Sequence, residues 1–289
     1  MVTRMLTAPR SARRRRPGWF PGWLIGLLAA VVWIAPFLWM LSTSFKPTGQ
    51  ILTNQVHWIP QTIVLDNYRF VFRGPVLRWM LNSLITAFAG TAVGVIAGAF
   101  AGYALARIPF RGRNTVFGVI LASIMIPANL AVVPLYIAFL KIGLVNSYTA
   151  ISLPLIANAI SVYIFRQFFL GLPSELEDAA TIDGAGRWRI FTHIALPLAR
   201  SPATASTIIL FTANWNNYLW PLLITFTQGM YTLPVGVAQF SSASGNYTQV
   251  NIYGPSMAAA TLLCIPSLAI FLLLQRYFIQ GIARTGAKG

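Results

Sequence analysis

Acidic side chains are almost missing from this chain: 5 of its 289 residues are Asp or Glu, against 21 Lys and Arg. Charged residues of both signs make up 9% of it, where a soluble domain carries about 25%. With 56% hydrophobic residues and a mean hydropathy of +0.66, it cannot clothe a water-facing surface. That excludes an ordinary soluble domain and points to an integral membrane protein. The one cysteine, Cys264, lies in an apolar run, which excludes a disulfide framework or a cysteine metal cluster within the chain. The two histidines, His57 and His193, stand far apart without acidic neighbours at ligand spacing and read as loop or interfacial residues. None of the three lysines, Lys46, Lys141 and Lys288, sits in a Gly-x-x-x-x-Gly-Lys-Ser/Thr phosphate loop, so no ATP site is expected here. The formal charge of +16 would suggest nucleic acid in a soluble protein; in a membrane protein it reads as topological, with lipid as the partner and no nucleic acid.

What the chain has in quantity is apolar length. Six segments free of Lys, Arg, Asp and Glu run roughly over 19–43, 81–106, 115–140, 147–165, 202–226 and 256–274. Each is near the about 20 residues that a helix needs to cross a bilayer. The expected fold is therefore all-α, with six transmembrane helices. The first 18 residues hold six arginines, Arg13 to Arg16 among them. The apolar run after them is longer than the roughly 7–15 residues of a cleaved signal core, so it reads as an uncleaved first span behind a basic tail. With the N-terminus inside, sixteen basic residues fall on the inner side and five on the outer, and both termini are expected to be cytoplasmic.

The second span carries Gly90, Gly94, Gly98 and Gly102 at a spacing that keeps them on one helix face, where another helix can approach closely. Pro36, Pro127, Pro134, Pro154, Pro221 and Pro266 recur inside spans and are expected to kink them. No span contains an ionisable side chain other than tyrosine, which argues against an ion-coupled carrier or channel. The spans do offer amides and aromatics, among them Asn82, Tyr103, Asn129, Asn158 and Tyr163 and the cluster Asn214, Trp215, Asn216, Asn217, Tyr218 and Trp220. Such groups suit a hydroxyl-rich ligand along a substrate path, or they hydrogen-bond helix to helix. The uncharged loop 227–255, with Gln239, Ser241, Ser242, Asn246 and Tyr247, reads either as a linker or as a hydrogen-bonding surface for an external partner.

Four of the five carboxylates, Glu175, Glu177, Asp178 and Asp183, fall in the inner loop 171–201. Ser174 and Glu177 have the spacing of a capping box. The acids of the first turn suit the helix dipole. Gly184 and Gly186 can end that helix, and Pro197 is expected to limit a second one over about 187–196. Two short helices with a glycine bend should project from the inner side, as an acid–base pair, a solvated face or a docking element. No nucleophile or metal set accompanies the carboxylates, so no catalytic or metal residue is expected.

The run Asp178-Ala-Ala-Thr-Ile-Asp-Gly184, nine residues, then Ile194-Ala-Leu-Pro197 resembles the EAA motif of ATP-binding-cassette (ABC) import permeases, with Asp for Glu at its first position. Ser44-Phe-Lys46, Asp66-Asn-Tyr68, Leu81-Asn-Ser83, Tyr103-Ala-Leu-Ala-Arg107, Trp215-Asn-Asn-Tyr-Leu-Trp-Pro221 and Thr232-Leu-Pro-Val-Gly236 are similar to the carbohydrate-uptake branch, which includes the maltose-type second permease subunit. Arg166-Gln-Phe-Phe169 and Asn217-Tyr-Leu-Trp-Pro-Leu-Leu223 resemble the glycerol-3-phosphate and glycerophosphodiester permeases of that branch.

The resemblance implies a type I ABC importer permease fold, with a core over about 77–275, a cytoplasmic tail over 276–289 and the external loop 44–80 after the first span. It implies a bacterial plasma-membrane protein without catalytic activity. A separate ABC ATPase dimer would bind ATP and Mg and grip the loop at Glu175, Asp178, Ala179, Ala180, Asp183, Gly184, Ile194, Leu196 and Pro197. It implies a second homologous permease subunit and an extracytoplasmic substrate-binding protein that meets the 227–255 loop. The implied cargo is a sugar, oligosaccharide or polyol, or else glycerol-3-phosphate or a glycerophosphodiester.

Overall fold

The computed structural model describes residues 22–53, 55, 57–241 and 253–286, with backbone alone at 128, 241 and 276–286. The basic tail over 1–18 and the loop residues Ser242, Asn246 and Tyr247 lie outside the described residues, as does Lys288. In chain order the helices are α1 (Gly22–Ser44), α2 (Thr48–Ile51), α3 (Asp66–Arg73), α4 (Val76–Arg107), α5 (Arg113–Met125), α6 (Val132–Lys141), α7 (Tyr148–Ile156) and α8 (Ala159–Leu170). Then come α9 (Glu175–Ile182), α10 (Arg187–Ile190), α11 (Leu196–Leu198), α12 (Arg200–Trp215), α13 (Leu219–Ile224), α14 (Leu233–Ser241) and α15 (Tyr253–Gly286). No strand occurs among the described residues.

Four stretches are long and apolar enough to cross a membrane: Gly22–Ser44, Val76–Arg107, Tyr148–Leu170, which is interrupted at Ala157 and Asn158 between α7 and α8, and Tyr253–Gln275. Two more of the expected spans are not continuous helices. The third breaks after Met125, and its two halves meet at 88°. Pro127 is extended there, with φ −58° and ψ 124°, and the residue before a proline is pushed out of the helical region. The fifth stops at Trp215 and resumes as α13, because Asn216 leaves the helix and its amide turns back on the Thr212 carbonyl at 2.8 Å. Pro36 and Pro266, by contrast, sit inside helices that continue past them, and Pro154 lies two residues before the end of α7. The second span starts earlier than expected, at Val76 rather than near Leu81, and the last helix runs on to Gly286.

The α4 helix organises the bundle. Its glycine face is the contact surface: Gly90 meets Leu155 of α7, Gly94 meets Leu210 of α12, and Gly98 and Gly102 meet Ser161 and Phe165 of α8. At the Val76 end, Trp79, Ala87, Phe211, Trp215, Leu233, Phe240 and Leu262 bury one apolar core. At the Arg107 end, Tyr103, Phe165, Phe169, Phe191 and Ala199 bury a second. The outer face is apolar too: Val32 and Trp33 of α1 are 70% and 78% exposed, a surface for hydrocarbon rather than water.

The 227–255 stretch is not one loop. Its first part enters the bundle as α14, with Leu233 and Val235 fully buried. Asn82 holds it, donating to the Gly229 and Tyr231 carbonyls at 2.8 Å each, and the Ser83 hydroxyl accepts the Leu233 N–H at 2.7 Å. At the far end of α1, Asn67 donates to the Ser44 and Lys46 carbonyls at 2.9 Å each, joining two separate sequence motifs. Lys46 is buried beside them, over the Trp39 ring at 4.0 Å and donating to the His57 carbonyl at 2.6 Å. Burial pushes its pKa down.

A Cβ at Gly102 would lie 2.6 Å from the Phe165 Cβ and 2.8 Å from the Arg166 backbone nitrogen, whereas one at Gly118 would meet nothing within 4 Å. Gly102→Ala is therefore expected to cost about 1–3 kcal/mol through overpacking, and Gly118→Ala to stay within about 0.5 kcal/mol of the parent or gain slightly, read as thermal unfolding in detergent.

Candidate functional site

The 171–201 loop folds as a helical hairpin. Its first arm, α9, ends in a complete glycine-based stop: Gly184 takes φ +79°, its N–H donates to the Thr181 carbonyl at 3.0 Å, and the Ala185 N–H reaches the Ala180 carbonyl at 2.9 Å. The open space around Gly184 is a second property: a Cβ there would touch nothing within 4 Å. The start of α9 differs from the sequence expectation. Ser174 is itself helical, at φ −67° and ψ −28°, and makes no capping bond. The Glu177 carboxylate that would complete the box instead lies 3.3 Å from the Arg107 guanidinium at the end of α4, where full charge meets full charge.

The second arm also departs from expectation. It opens as α10, passes through a π-helical turn over Phe191–Ala195, and continues as α11 to Leu198 without stopping at Pro197. Proline fits there because it occupies the start of α11. Arg187–Leu198 and α12 then meet at 72°. Trp188 stacks on Phe100 of α4, with centroids 5.7 Å apart and planes within 8°, and Phe191 lies 4.9 Å from Tyr103.

The hairpin therefore has a bound side and a free side. Glu177, Phe191 and Ala195 face the bundle. Glu175, Asp178, Ala179, Asp183 and Gly184 are exposed, as are Leu196 and Pro197, while Ala180 and Ile194 are half-buried. Ile182, four residues on from Asp178 and 86% exposed, belongs to the free side and escaped the sequence reading. The helical i, i+4 spacing within the motif could have found it. Arg107 and Trp188 were also missed as hairpin contacts, and sequence distance hid both. The free side thus carries an exposed apolar residue together with exposed carboxylates. Among the described residues no three His, Cys, Asp or Glu side chains come together as a metal would need.

The amide and aromatic cluster splits. Asn214 is buried and donates to the Thr91 hydroxyl at 3.2 Å; Trp215 donates to the Leu263 carbonyl at 2.8 Å and Trp220 to the Ala150 carbonyl at 2.9 Å. Asn216 and Tyr218 are exposed and Asn217 half-buried, all three at the break between α12 and α13. Asn158 caps α8, accepting the Ile160 and Ser161 N–H groups at 3.0 and 3.2 Å. Gln239 is half-buried at the end of α14, which also carries Ser241.

Residues 90–284 match the family of binding-protein-dependent transport system inner membrane components. The chain is 37% identical to the arabinooligosaccharides transport system permease protein AraQ of Halalkalibacterium halodurans, over 92% of this chain and 96% of that one. It is 36% identical to the lactose transport system permease protein LacG of Rhizobium radiobacter, over 88% and 91%. It is 40% identical to the sn-glycerol-3-phosphate transport system permease protein UgpE of Yersinia pestis, over 70% and 71%. In fold it is similar to a chain of a bacterial ABC transporter involved in the import of the acidic polysaccharide alginate, at a TM-score of 0.79 and 20% identity over 89% and 94%.

The φ of Gly184 makes a local prediction. Gly184→Ala should fray the end of α9 at a cost of about 1 kcal/mol, seen as roughly fivefold faster amide exchange over residues 179–185, and Gly184→Asn should recover part of the loss because Asn tolerates the left-handed region.

Proposed function

The chain belongs to the family of binding-protein-dependent transport system inner membrane components, and we propose that it is the permease subunit of an ATP-driven importer of a carbohydrate-like solute. The observation that carries the reading is the hairpin's free side: Asp178, Ala179, Ile182, Asp183 and Gly184 are offered outward by an element whose other side is fixed to the bundle. In this reading an ABC ATPase dimer, which supplies the ATP and Mg sites, seats α9 in a groove. The apolar Ile182 enters the groove and the carboxylates meet basic groups at its rim. Small residues at Ala179, Ala180 and Gly184 let the groove wall come close. The chain contributes movement and a path, not a reaction.

The orientation follows from charge: the hairpin lies in the cytoplasm with both termini. The bent α5–α6 pair makes a fifth crossing, and in this reading α12, continued by α13, makes a sixth. Helices broken inside a membrane leave backbone and polar groups free to line a cavity. The exposed Asn216 and Tyr218 and the half-buried Asn217 at the α12 break are therefore the residues of the expected path that remain available to solute. A second homologous permease supplies the other half of the path, and an extracytoplasmic binding protein delivers solute at the Gln239–Tyr247 stretch. The arabinooligosaccharide and lactose relatives favour a sugar, oligosaccharide or polyol. The 40% identity to a glycerol-3-phosphate permease keeps phosphorylated glycerol as the second reading. Titrating the cognate binding protein with both classes decides between them: saccharide binding supports the first, and phosphodiester or glycerol-3-phosphate binding alone supports the second.

Gly184→Trp is expected to insert normally, to abolish uptake, and to free ATP hydrolysis from its dependence on transport. Ile182→Arg should weaken co-purification of the ATPase by about tenfold or more, the scale of a buried anchor lost from an interface. Normal uptake by Gly184→Trp in reconstituted vesicles contradicts the assignment.

A further inference from the structure

We propose that Arg107 and Glu177 are positioning residues that make α9 move as one body with α4, so that force on the hairpin enters the bundle through α4. The proposal rests on the reading of α9 as the ATPase grip. Covalently the hairpin joins α8 and α12, and nothing in the chain's path attaches it to α4. The polar part of the attachment is made by one side chain. Arg107 closes the last turn of α4, where a cation is favoured by the helix dipole. Its Nε lies 3.3 Å from the Glu177 Oε1, and one terminal nitrogen donates to the carbonyl of Leu172 in the segment leading into α9.

One planar guanidinium thus meets the hairpin at two points, an ion pair with Glu177 and a hydrogen bond to Leu172. The two side chains are 15% and 21% exposed, sheltered enough that water screens them less than a surface pair. The other three acids of the hairpin are exposed, so Glu177 is the one turned inward to its own chain. The second arm reinforces the attachment one and two turns back along α4, through Phe191 against Tyr103 and Trp188 on Phe100. From there the glycine face of α4 passes a displacement directly to α7, α8 and α12, because contacts so close cannot slide without repacking.

The test needs no knowledge of the solute. In the complete complex, with Cys264→Ser, nitroxides on Thr181→Cys and Val93→Cys measure the separation of α9 from α4, both sites being exposed. Mg and a non-hydrolysable ATP analogue serve as the probe. The expected result is an unchanged separation in the parent, a shifted or broadened one in Arg107→Gln and in Glu177→Gln, and a partial return towards the parental distribution in the charge-reversed pair Arg107→Glu with Glu177→Arg, which restores the ion pair but not the bond to the Leu172 carbonyl. A separation that shifts in the parent, or that is the same in parent and variants, overturns the proposal. If a single variant fails to assemble, the charge-reversed pair decides: it must restore assembly and bring the separation back towards the parental one. Failure of the parental chain to retain an ATPase at all would instead overturn the functional reading beneath it.

Discussion

Inside a bilayer, apolar side chains gain nothing by leaving water, so helices are held by how closely they can approach. In this protein that closeness is concentrated on the glycine face of α4. Gly90, Gly94, Gly98 and Gly102 let α7, α8 and α12 seat against the backbone itself, with no side chain to spare between them. The two buried cores at the ends of α4 form around that contact. So does the placement of the hairpin, because α8 and α12 are the helices from which it is hung. A long helix gripped this tightly is a rigid lever, and its Arg107 end is where the hairpin is attached.

The scarcity of carboxylates acquires a meaning in this frame. An acid in the hydrocarbon region would be costly, and the chain keeps its acids out of it. Of the four in the hairpin, Glu177 joins the hairpin to its own chain, and Glu175, Asp178 and Asp183 are left facing away. Internal attachment and the proposed external grip thus fall on opposite sides of a helix of 8 residues. The exposed Ile182 is consistent with the proposed docking of that face.

Much of this was legible in the sequence, and the misses share a cause. Apolar length gave the membrane-spanning character, and the spacing of Asp178, Gly184 and Pro197 gave the hairpin, because both are local signals. The glycine spacing identified the packing face of α4 for the same reason. The broken helices were harder: Pro127 breaks its span while Pro36 and Pro266 do not. The outcome depends on neighbours that can satisfy the freed backbone groups, which no local pattern records. Burial of α14 was invisible because its partners, Asn82 and Ser83, lie about 150 residues away. The capping box did not form: Ser174 is helical, and Glu177 is paired instead with Arg107, remote in sequence. Trp215 and Trp220 read as path residues from composition, yet their indole N–H groups are committed to carbonyls of neighbouring helices.

The central claim is that the free side of α9 faces the cytoplasm and is covered there by an ATPase. Ile182→Cys in a Cys264→Ser background, exposed to a membrane-impermeant maleimide, tests both halves at once. The account predicts labelling in inverted vesicles and not in right-side-out ones, with protection when the ATPase dimer is bound. Labelling from the outside, or labelling from the inside that bound ATPase leaves unchanged, would contradict it.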